Sequence, residues 1–301
     1  MPPRARPFAP LAALAWLILC LSAHAAPFVV MSYNVENWLT TDRFINNRHV
    51  TSAPKPDDEK SAVISVIAAH QPDILGVCEM GSRKDFEDFQ ARLKAKGLDY
   101  PHAEWHEGID IDRHVAVLSK FPIVARDSLD KVKFDIGGTP QAIQRGILDI
   151  TIEPQKGYRL RLIGLHLKSR RPVPEVDQEA LRAKEAWHVR KHLDEILASD
   201  PAAKVLLFGD LNTTKNEYPI KEILGAKNSP TRLTDIPAED DRGERWTHYY
   251  VVADEYSRID YLMASPALRR DIDEKASGID SSSEWHVASD HRAIFTTIDP
   301  K

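Results

Sequence analysis

Short runs of apolar and β-branched residues recur along the chain at a spacing that suits strands. They fall at Phe28–Tyr33, Ile74–Cys78, Val115–Ser119, Gly146–Ile152, Arg159–Leu167, Lys204–Phe208, Ile259–Ala264 and Ala293–Ile298. Several are continuously apolar, the pattern of a strand covered on both faces. Arg159–Leu165 instead alternates. Two stretches carry helical spacing. Asp57–Ala69 opens on acids, sets Val63, Ile64 and Ile67 on one face, and stops before Pro72. Glu175–Leu197 is the longest, with Leu181, Leu193 and Ile196 near helical spacing. Many strands, few helices and hairpin-length gaps predict an α/β sandwich rather than a regular wheel of strand and helix. No repeat, low-complexity tract or long linker interrupts the pattern.

The first residues belong to a different class. Arg4 and Arg6 form a basic start, and the apolar run Leu11–Leu21 is too short to span a bilayer comfortably. Ala23-His24-Ala25 supplies a small-x-small cleavage pattern. Residues 1–25 therefore read as a cleaved signal peptide, with a buried N-terminal helix or a retained anchor as the alternative. Leu19 is too bulky for Cys20 to be a lipoprotein cysteine. The expected product is a periplasmic or secreted monomer without a stable membrane anchor, its single large domain spanning 26–301.

Removing two arginines and no acid moves the formal charge from −5 to −7. A non-specific nucleic-acid coat protein would be basic, so that class is disfavoured. An acidic nuclease is not, because carboxylates that hold a metal count against the total. Cys78 is the one cysteine beyond the signal, which rules out an intramolecular disulfide and a zinc site of cysteine type.

Five polar clusters sit at strand ends, where a rigid scaffold can aim side chains into one cleft. They are Ser32-Tyr33-Asn34-Val35-Glu36-Asn37, Cys78-Glu79-Met80, Gly164-Leu165-His166-Leu167, Gly209-Asp210-Leu211-Asn212, and the late pair Arg258-Ile259-Asp260-Tyr261 with Ser289-Asp290-His291-Arg292. An acid after a strand is commonly a turn former or a cap, so each cluster alone says little. Caps do not explain their joint occurrence in this order.

That order resembles the endonuclease/exonuclease/phosphatase superfamily, which includes pancreatic-type deoxyribonuclease, apurinic endonucleases, neutral sphingomyelinases and inositol polyphosphate phosphatases. The resemblance runs from about Val29 to Ile298, and Gly-Asp-Leu-Asn with Ser-Asp-His is its most discriminating part. It implies a four-layer α/β/β/α sandwich, two sheets of antiparallel and mixed strands face to face with helices outside.

The chemistry of a phosphoester explains these residue types. The ester is anionic and repels hydroxide, so a divalent cation must neutralise it and help the leaving oxygen depart. Mg²⁺, or Mn²⁺ or Ca²⁺, takes hard oxygen ligands. The resemblance makes Glu79 the principal metal carboxylate, with Asn34 supporting it (Glu36 close by) and Asp290 a further ligand. It pairs His291 as base with Asp260, not with its neighbour Asp290. Asp210 would orient the attacking water or the metal, Asn212 would donate to a phosphoryl oxygen, and His166 would steady the phosphate. Asp110 or Asp112 is a candidate to hold His166. Arg145 reads first as a surface arginine and second as a phosphate contact.

Residues 166–192 hold seven Lys and Arg against four acids. Lys168, Arg170 and Arg182 could therefore bind extended phosphates, unless they line a solvated helix face. His188 and His192 are four apart but lack the glutamate of a zinc-protease motif, so they read as exposed helical histidines. Gly137-Gly138 is a lone turn. No aromatic-basic interleaving marks a strand-stacking platform, and no long hydrophobic hairpin marks a lipid enzyme. The reading is a phosphodiesterase acting on a phosphoester substrate, DNA, RNA or a nucleotide. The alternatives are a phosphomonoesterase, a lipid or inositol-phosphate enzyme of the same fold, or a non-enzymatic binding module.

Overall fold

The computed structural model describes residues 26–46, 48–172, 174 and 176–301. The expected signal peptide lies outside them.

Among the described residues twelve strands build two six-stranded sheets. In chain order they are β1 (Phe28–Trp38), β2 (Ile74–Met80), β3 (His102–His106), β4 (His114–Ser119), β5 (Ile123–Arg126), β6 (Leu148–Gln155), β7 (Tyr158–His166), β8 (Lys204–Asp210), β9 (Thr234–Asp235), β10 (Asp260–Ala264), β11 (Ile272–Ile279) and β12 (Ile294–Ile298). One sheet runs β11-β12-β1-β2-β4-β3, the other β9-β10-β8-β7-β6-β5. Both are mixed: β1 lies parallel to β2 and β7 parallel to β8, while the other neighbours are antiparallel. The four longer helices are α1 (Asp57–His70), α2 (Arg83–Ala95), α3 (Gln178–Ser199) and α4 (Tyr218–Leu224).

The burial pattern explains the layering. Val30, Ile74, Val115, Leu148, Leu162 and Phe208 meet between the sheets in one apolar cluster. The opposite face of the first sheet packs Leu75 and Val77 against Val63 and Ile67 of α1 and Phe89 of α2. That of the second packs Ile163 and Leu207 against Val189 and Leu193 of α3 and Ile220 of α4. Strands covered on both faces read as continuously apolar runs; β7 is the exception, alternating at Arg159 and Arg161 although Leu160 and Leu162 face one layer and Ile163 and Leu165 the other. Close approach of the sheets needs glycine at Gly76, where a Cβ would fall 2.2 Å from the Phe208 ring.

Four sheet strands, β3, β5, β9 and β11, have no counterpart among the expected runs, and the other differences from expectation are local. The strand expected from Gly146 begins at Leu148, because Gln144 and Arg145 turn and Gly146 has φ 64°. The long helix begins at Gln178, capped by Asp177, whose side chain accepts from Ala180 N at 2.8 Å. His188 and His192 are not exposed: His192 Nε2 lies 2.7 Å from the buried Asp149 carboxylate, and the His188 ring stacks on Phe134. Cys78 is free and buried. Gly137-Gly138 turns a hairpin between Lys133–Ile136 and Thr139–Ala142. Among the described residues no helix is long and apolar enough to cross a membrane.

The topology also fixes where polar side chains gather. Parallel pairing puts the C-terminal ends of β1 and β2 side by side, and likewise those of β7 and β8. In the second sheet His166 stands opposite Asp210, and Asp210 opposite Asp260. Asn34 stands opposite Cys78, one residue before Glu79.

Candidate active site

The backbone is strained where these strands end. Glu36, Asn37, Glu79 and Asn212 all take positive φ, between 47° and 64°. Non-glycine residues hold such angles only where their surroundings over-determine them, and such positions concentrate at functional sites. Gly209 has φ 134°, and a Cβ there would meet Leu165 O at 1.9 Å. The glycine of Gly-Asp-Leu-Asn is therefore a steric requirement.

His291 and Asp260 form a buried pair, with Nδ1 2.8 Å from Asp260 Oδ2. Asp260 N is held by Thr247 Oγ1 at 3.1 Å. Ser289 Oγ donates to Asn34 O at 2.8 Å and accepts from His291 N at 3.1 Å, so the Ser-Asp-His turn is fixed to β1. The other ring nitrogen, Nε2, lies 3.4 Å from Asn34 Nδ2 and 3.8 Å from Asp210 Oδ2. Burial alone would lower the His291 pKa, but the charges of Asp260 and Asp210 and the Asp260 hydrogen bond raise it well above the ordinary value.

Asp210 is the hub. Its carboxylate accepts from Asn34 Nδ2 at 3.1 Å, Asn212 N at 2.8 Å and Asn212 Nδ2 at 3.2 Å. Asn212 Nδ2 also donates to Leu167 O at 3.1 Å. As placed, Asn212 steadies Asp210 and the residue after β7. Burial and the neighbouring acids Asp260 and Glu79, opposed by His291, push Asp210 up to about 7.

Glu79 Oε2 accepts from Asn37 N at 2.8 Å, while its Oε1 faces His166 Nε2 at 3.8 Å. Glu36 Oε2 accepts from Asp290 N at 3.1 Å. Beneath Glu36 lies Lys55, its side chain fully buried, donating to Glu36 O at 3.1 Å and lying 3.3 Å from Glu59. Burial and the charge of Asp290 lift Glu36 to about 7, with Lys55 opposing. Carboxylates gathered this closely suit a divalent cation. Glu36, Glu79 and Asp290 with the Asn34 amide offer hard oxygen donors for it.

The basic side departs from expectation. Arg145 is buried rather than on the surface, with Nε 3.0 Å from Asp110 Oδ2. Asp110 therefore pairs with Arg145 and not with His166, and Asp112 is exposed. His166 Nε2 instead faces Asp210 Oδ2 at 3.6 Å, and among the described residues its buried Nδ1 has no hydrogen-bond partner. Burial, then the charge of Arg145, holds His166 well below the ordinary histidine range, so its ring is neutral. Arg182 is no solvated helix residue. It is buried under the loop after β7, donating to Lys168 O at 3.3 Å and Ser169 O at 3.1 Å, while Glu185 accepts from Lys168 N at 2.8 Å. Arg170 is exposed and its Nη2 is tied to Glu217 at 2.6 Å. The Lys168 ammonium folds back on Ser169 Oγ at 3.1 Å.

All eight residues expected to be catalytic or metal-binding thus converge at one edge of the sandwich. Lys55 and His248 were missed. Lys55 sits between two prolines, and His248 lies in a hairpin (His248–Tyr250 with Glu255–Ser257), its ring centroid 4.6 Å from that of His291. Neither position carries a motif.

The sequence profile of the endonuclease/exonuclease/phosphatase family matches residues 31–291. A search of curated proteins gave no match. Among solved structures, truncated TDP2 of Caenorhabditis elegans superposes with a TM-score of 0.62 at 17% identity, over 92% of this chain and 99% of that one. The human nocturnin catalytic domain, solved with a bound sulfate anion, gives 0.59 at 17%, over 90% and 93%. Beta toxin of Staphylococcus aureus gives 0.60 at 15%, over 89% and 99%. At these identities the likeness establishes the fold.

Proposed function

The chain belongs to the endonuclease/exonuclease/phosphatase family, whose members are hydrolases acting on phosphoester bonds, and from that premise we propose that it is a Mg²⁺-dependent phosphodiesterase acting on nucleic acid or nucleotides. The observation that carries this reading is the buried Asp260–His291 pair, whose Nε2 faces Asp210 at 3.8 Å beside an acid shell.

Glu79, Glu36, Asp290 and Asn34 would hold the cation, which when bound neutralises the ester and supports the departing oxygen. Asp260 fixes His291 through Nδ1, and the ring serves as base in the form with its lone pair on Nε2, which a bound cation would favour by opposing the Asp260 and Asp210 charges that raise its pKa. A separation of 3.8 Å lets one water hydrogen-bond both Nε2 and Asp210 Oδ2. Asp210 orients that water and His291 takes its proton as it attacks phosphorus. Neutral His166 donates to a phosphoryl oxygen, and Arg145 and Lys168 add positive charge behind it. Asn212 keeps Asp210 in place, and Arg170 and Arg182 hold the loop that carries Lys168.

One observation favours a second reading, a lipid phosphodiester. The hairpin that carries His248 exposes Tyr250, Val251 and Val252 at 50%, 71% and 80% at its tip. Assays with Mg²⁺ on DNA, RNA, bis(p-nitrophenyl) phosphate, p-nitrophenyl phosphate, inositol phosphates and sphingomyelin vesicles separate the readings. Hydrolysis of nucleic acid or the diester is expected. Turnover confined to monoesters or vesicles would reject the assignment.

We also propose export, on the strength of Arg4, Arg6, the Leu11–Leu21 run and Ala23-His24-Ala25. N-terminal sequencing of secreted or periplasmic protein should begin near Ala26, and a full-length membrane-retained product would refute it.

A further inference from the structure

His248 lies outside the constellation described above, yet the backbone fixes it against that constellation. It forms an isolated antiparallel bridge with His291. Tyr249 N donates to Asp290 O at 3.0 Å, and Arg292 N donates to Thr247 O at 2.6 Å. The hairpin therefore cannot drift from the Ser-Asp-His turn without breaking a short ladder. This places His248 Nε2 3.8 Å from Asp290 Oδ2, and Asp290 Oδ1 3.9 Å from His291 Nε2. One ligand atom from each of the three residues falls within 4.8 Å of the other two.

A cation bound at roughly 2.0–2.2 Å from each of three ligands holds them about 3–4 Å apart. Two of the three edges are at that spacing, 3.8 Å from His248 to one Asp290 oxygen and 3.9 Å from His291 to the other, and the half-exposed Asp290 carboxylate can turn to close the remainder. The donors of the trio overlap the acid shell only at Asp290, whose two carboxylate oxygens can bridge two cations. Two imidazoles and one carboxylate favour zinc-class cations, whereas the oxygens of Glu36, Glu79 and Asn34 favour Mg²⁺. The far nitrogen of His291 is already bonded to Asp260 at 2.8 Å, the carboxylate–histidine support that raises the basicity of a metal-ligating ring.

We propose that His248, Asp290 and His291 form an inhibitory site for an imidazole-preferring divalent cation such as Zn²⁺ or Co²⁺. The ligand atom on His291 is Nε2, the lone pair that must accept the proton of the attacking water. A cation seated there and that proton compete for one electron pair, so occupancy stops turnover while Mg²⁺ remains bound. Inhibition, though not binding, rests on the general-base reading of His291. The Asp260 hydrogen bond that makes Nε2 a good base makes it an equally good ligand.

The test uses the mature chain saturated with Mg²⁺ and titrated with Co²⁺, whose visible spectrum reports four-coordinate nitrogen and oxygen ligation. Zn²⁺ binding is followed in parallel by calorimetry and by diesterase rate. His248→Gln removes the ligand, and His248→Phe keeps a ring of similar size without nitrogen. Thermal melts verify that both fold. The wild type should show four-coordinate Co²⁺ bands and Zn²⁺ inhibition. Both variants should lose the bands, and the Zn²⁺ concentration for half-inhibition, referred to each variant's own Mg²⁺ rate, should rise roughly tenfold to a hundredfold. Unchanged spectra and Zn²⁺ stoichiometry in both variants would overturn the site. Bands that vanish in the variants while Zn²⁺ leaves wild-type turnover untouched would overturn the inhibition. A wild type without Mg²⁺-dependent hydrolysis would sink the phosphodiesterase reading, and the Co²⁺ spectrum would still judge the site.

Discussion

In the proposed mechanism two side chains 31 positions apart, Asp260 and His291, share the proton work, and their coupling can be measured. Asp260→Asn keeps the shape of the side chain but offers the wrong partner to His291 Nδ1, and turnover should fall by roughly 10³–10⁴. His291→Ala should be at least as damaging, and the double variant should not be additive; independent losses would show that the two do not act as a unit. The pH dependence has a definite sign. Asp260 helps to raise the His291 pKa, and below that pKa the ring carries a proton and cannot accept another. Removing the charge of Asp260 should move the acidic limb of the residual pH–rate profile to lower pH, and a limb that stays put would mean that it reports another group. Gly209→Ala meets a different obstacle, a Cβ 1.9 Å from Leu165 O at φ 134°. It should lower unfolding stability by about 3 kcal/mol or more, read from urea titration, because neither backbone can yield inside a paired sheet. The pair was legible because Arg-Ile-Asp-Tyr and Ser-Asp-His are local strings. Lys55 and His248 were not, because tertiary packing alone creates their proximity to Glu36 and His291.

Elements show the same division between local and distant causes. Buried strands announced themselves as apolar runs, and α1 by its acidic first turn and the proline beyond its end. α2 was missed although Phe86, Phe89 and Leu93 lie at helical spacing and are buried. Its other positions are so polar that the stripe is narrow. Its start was written in the sequence as well: Ser82 accepts from Asp85 N at 3.3 Å, and Asp85 accepts in return from Ser82 N at 2.9 Å. Ser82→Ala should therefore lower stability by about 1 kcal/mol while leaving turnover per folded molecule unchanged. Loss of activity beyond the unfolded fraction would tie α2 to the site more directly than the packing shows. The loop after β7 misled because charge count does not reveal direction: Arg182 turns inward to backbone carbonyls, and Arg145 is buried against Asp110. A cation facing inward and one facing solvent look alike in a string of letters.

At the scale of the whole molecule, the acid shell is drawn from both ends of the chain, so its occupancy should be felt as stability. A cation held by Glu36, Glu79 and Asp290 favours only the folded state and at a hundred times its Kd adds about 2.7 kcal/mol. Mg²⁺ should raise Tm as well as activity, EDTA should reverse both, and Glu79→Gln should blunt both with partial recovery at high Mg²⁺. A Tm indifferent to Mg²⁺ in the wild type would place the cation elsewhere. Fold class was legible because face-to-face sheets impose their burial on every strand, whereas pairing order was not, since β12 is wedged between β11 and β1 by contacts that join Phe28 to Ile298. That insertion has a consequence in time. A ribosome adds residues from the N-terminus at about 5–20 per second, and the strand that completes the first sheet is among the last to be made. A nascent chain halted before residue 289 already owns Glu79, His166 and Asp210, yet it has neither Asp290 nor His291. Such a chain has a gap beside β1 and, on the proposed mechanism, no proton acceptor, so competence to cleave would arrive at one late moment of synthesis.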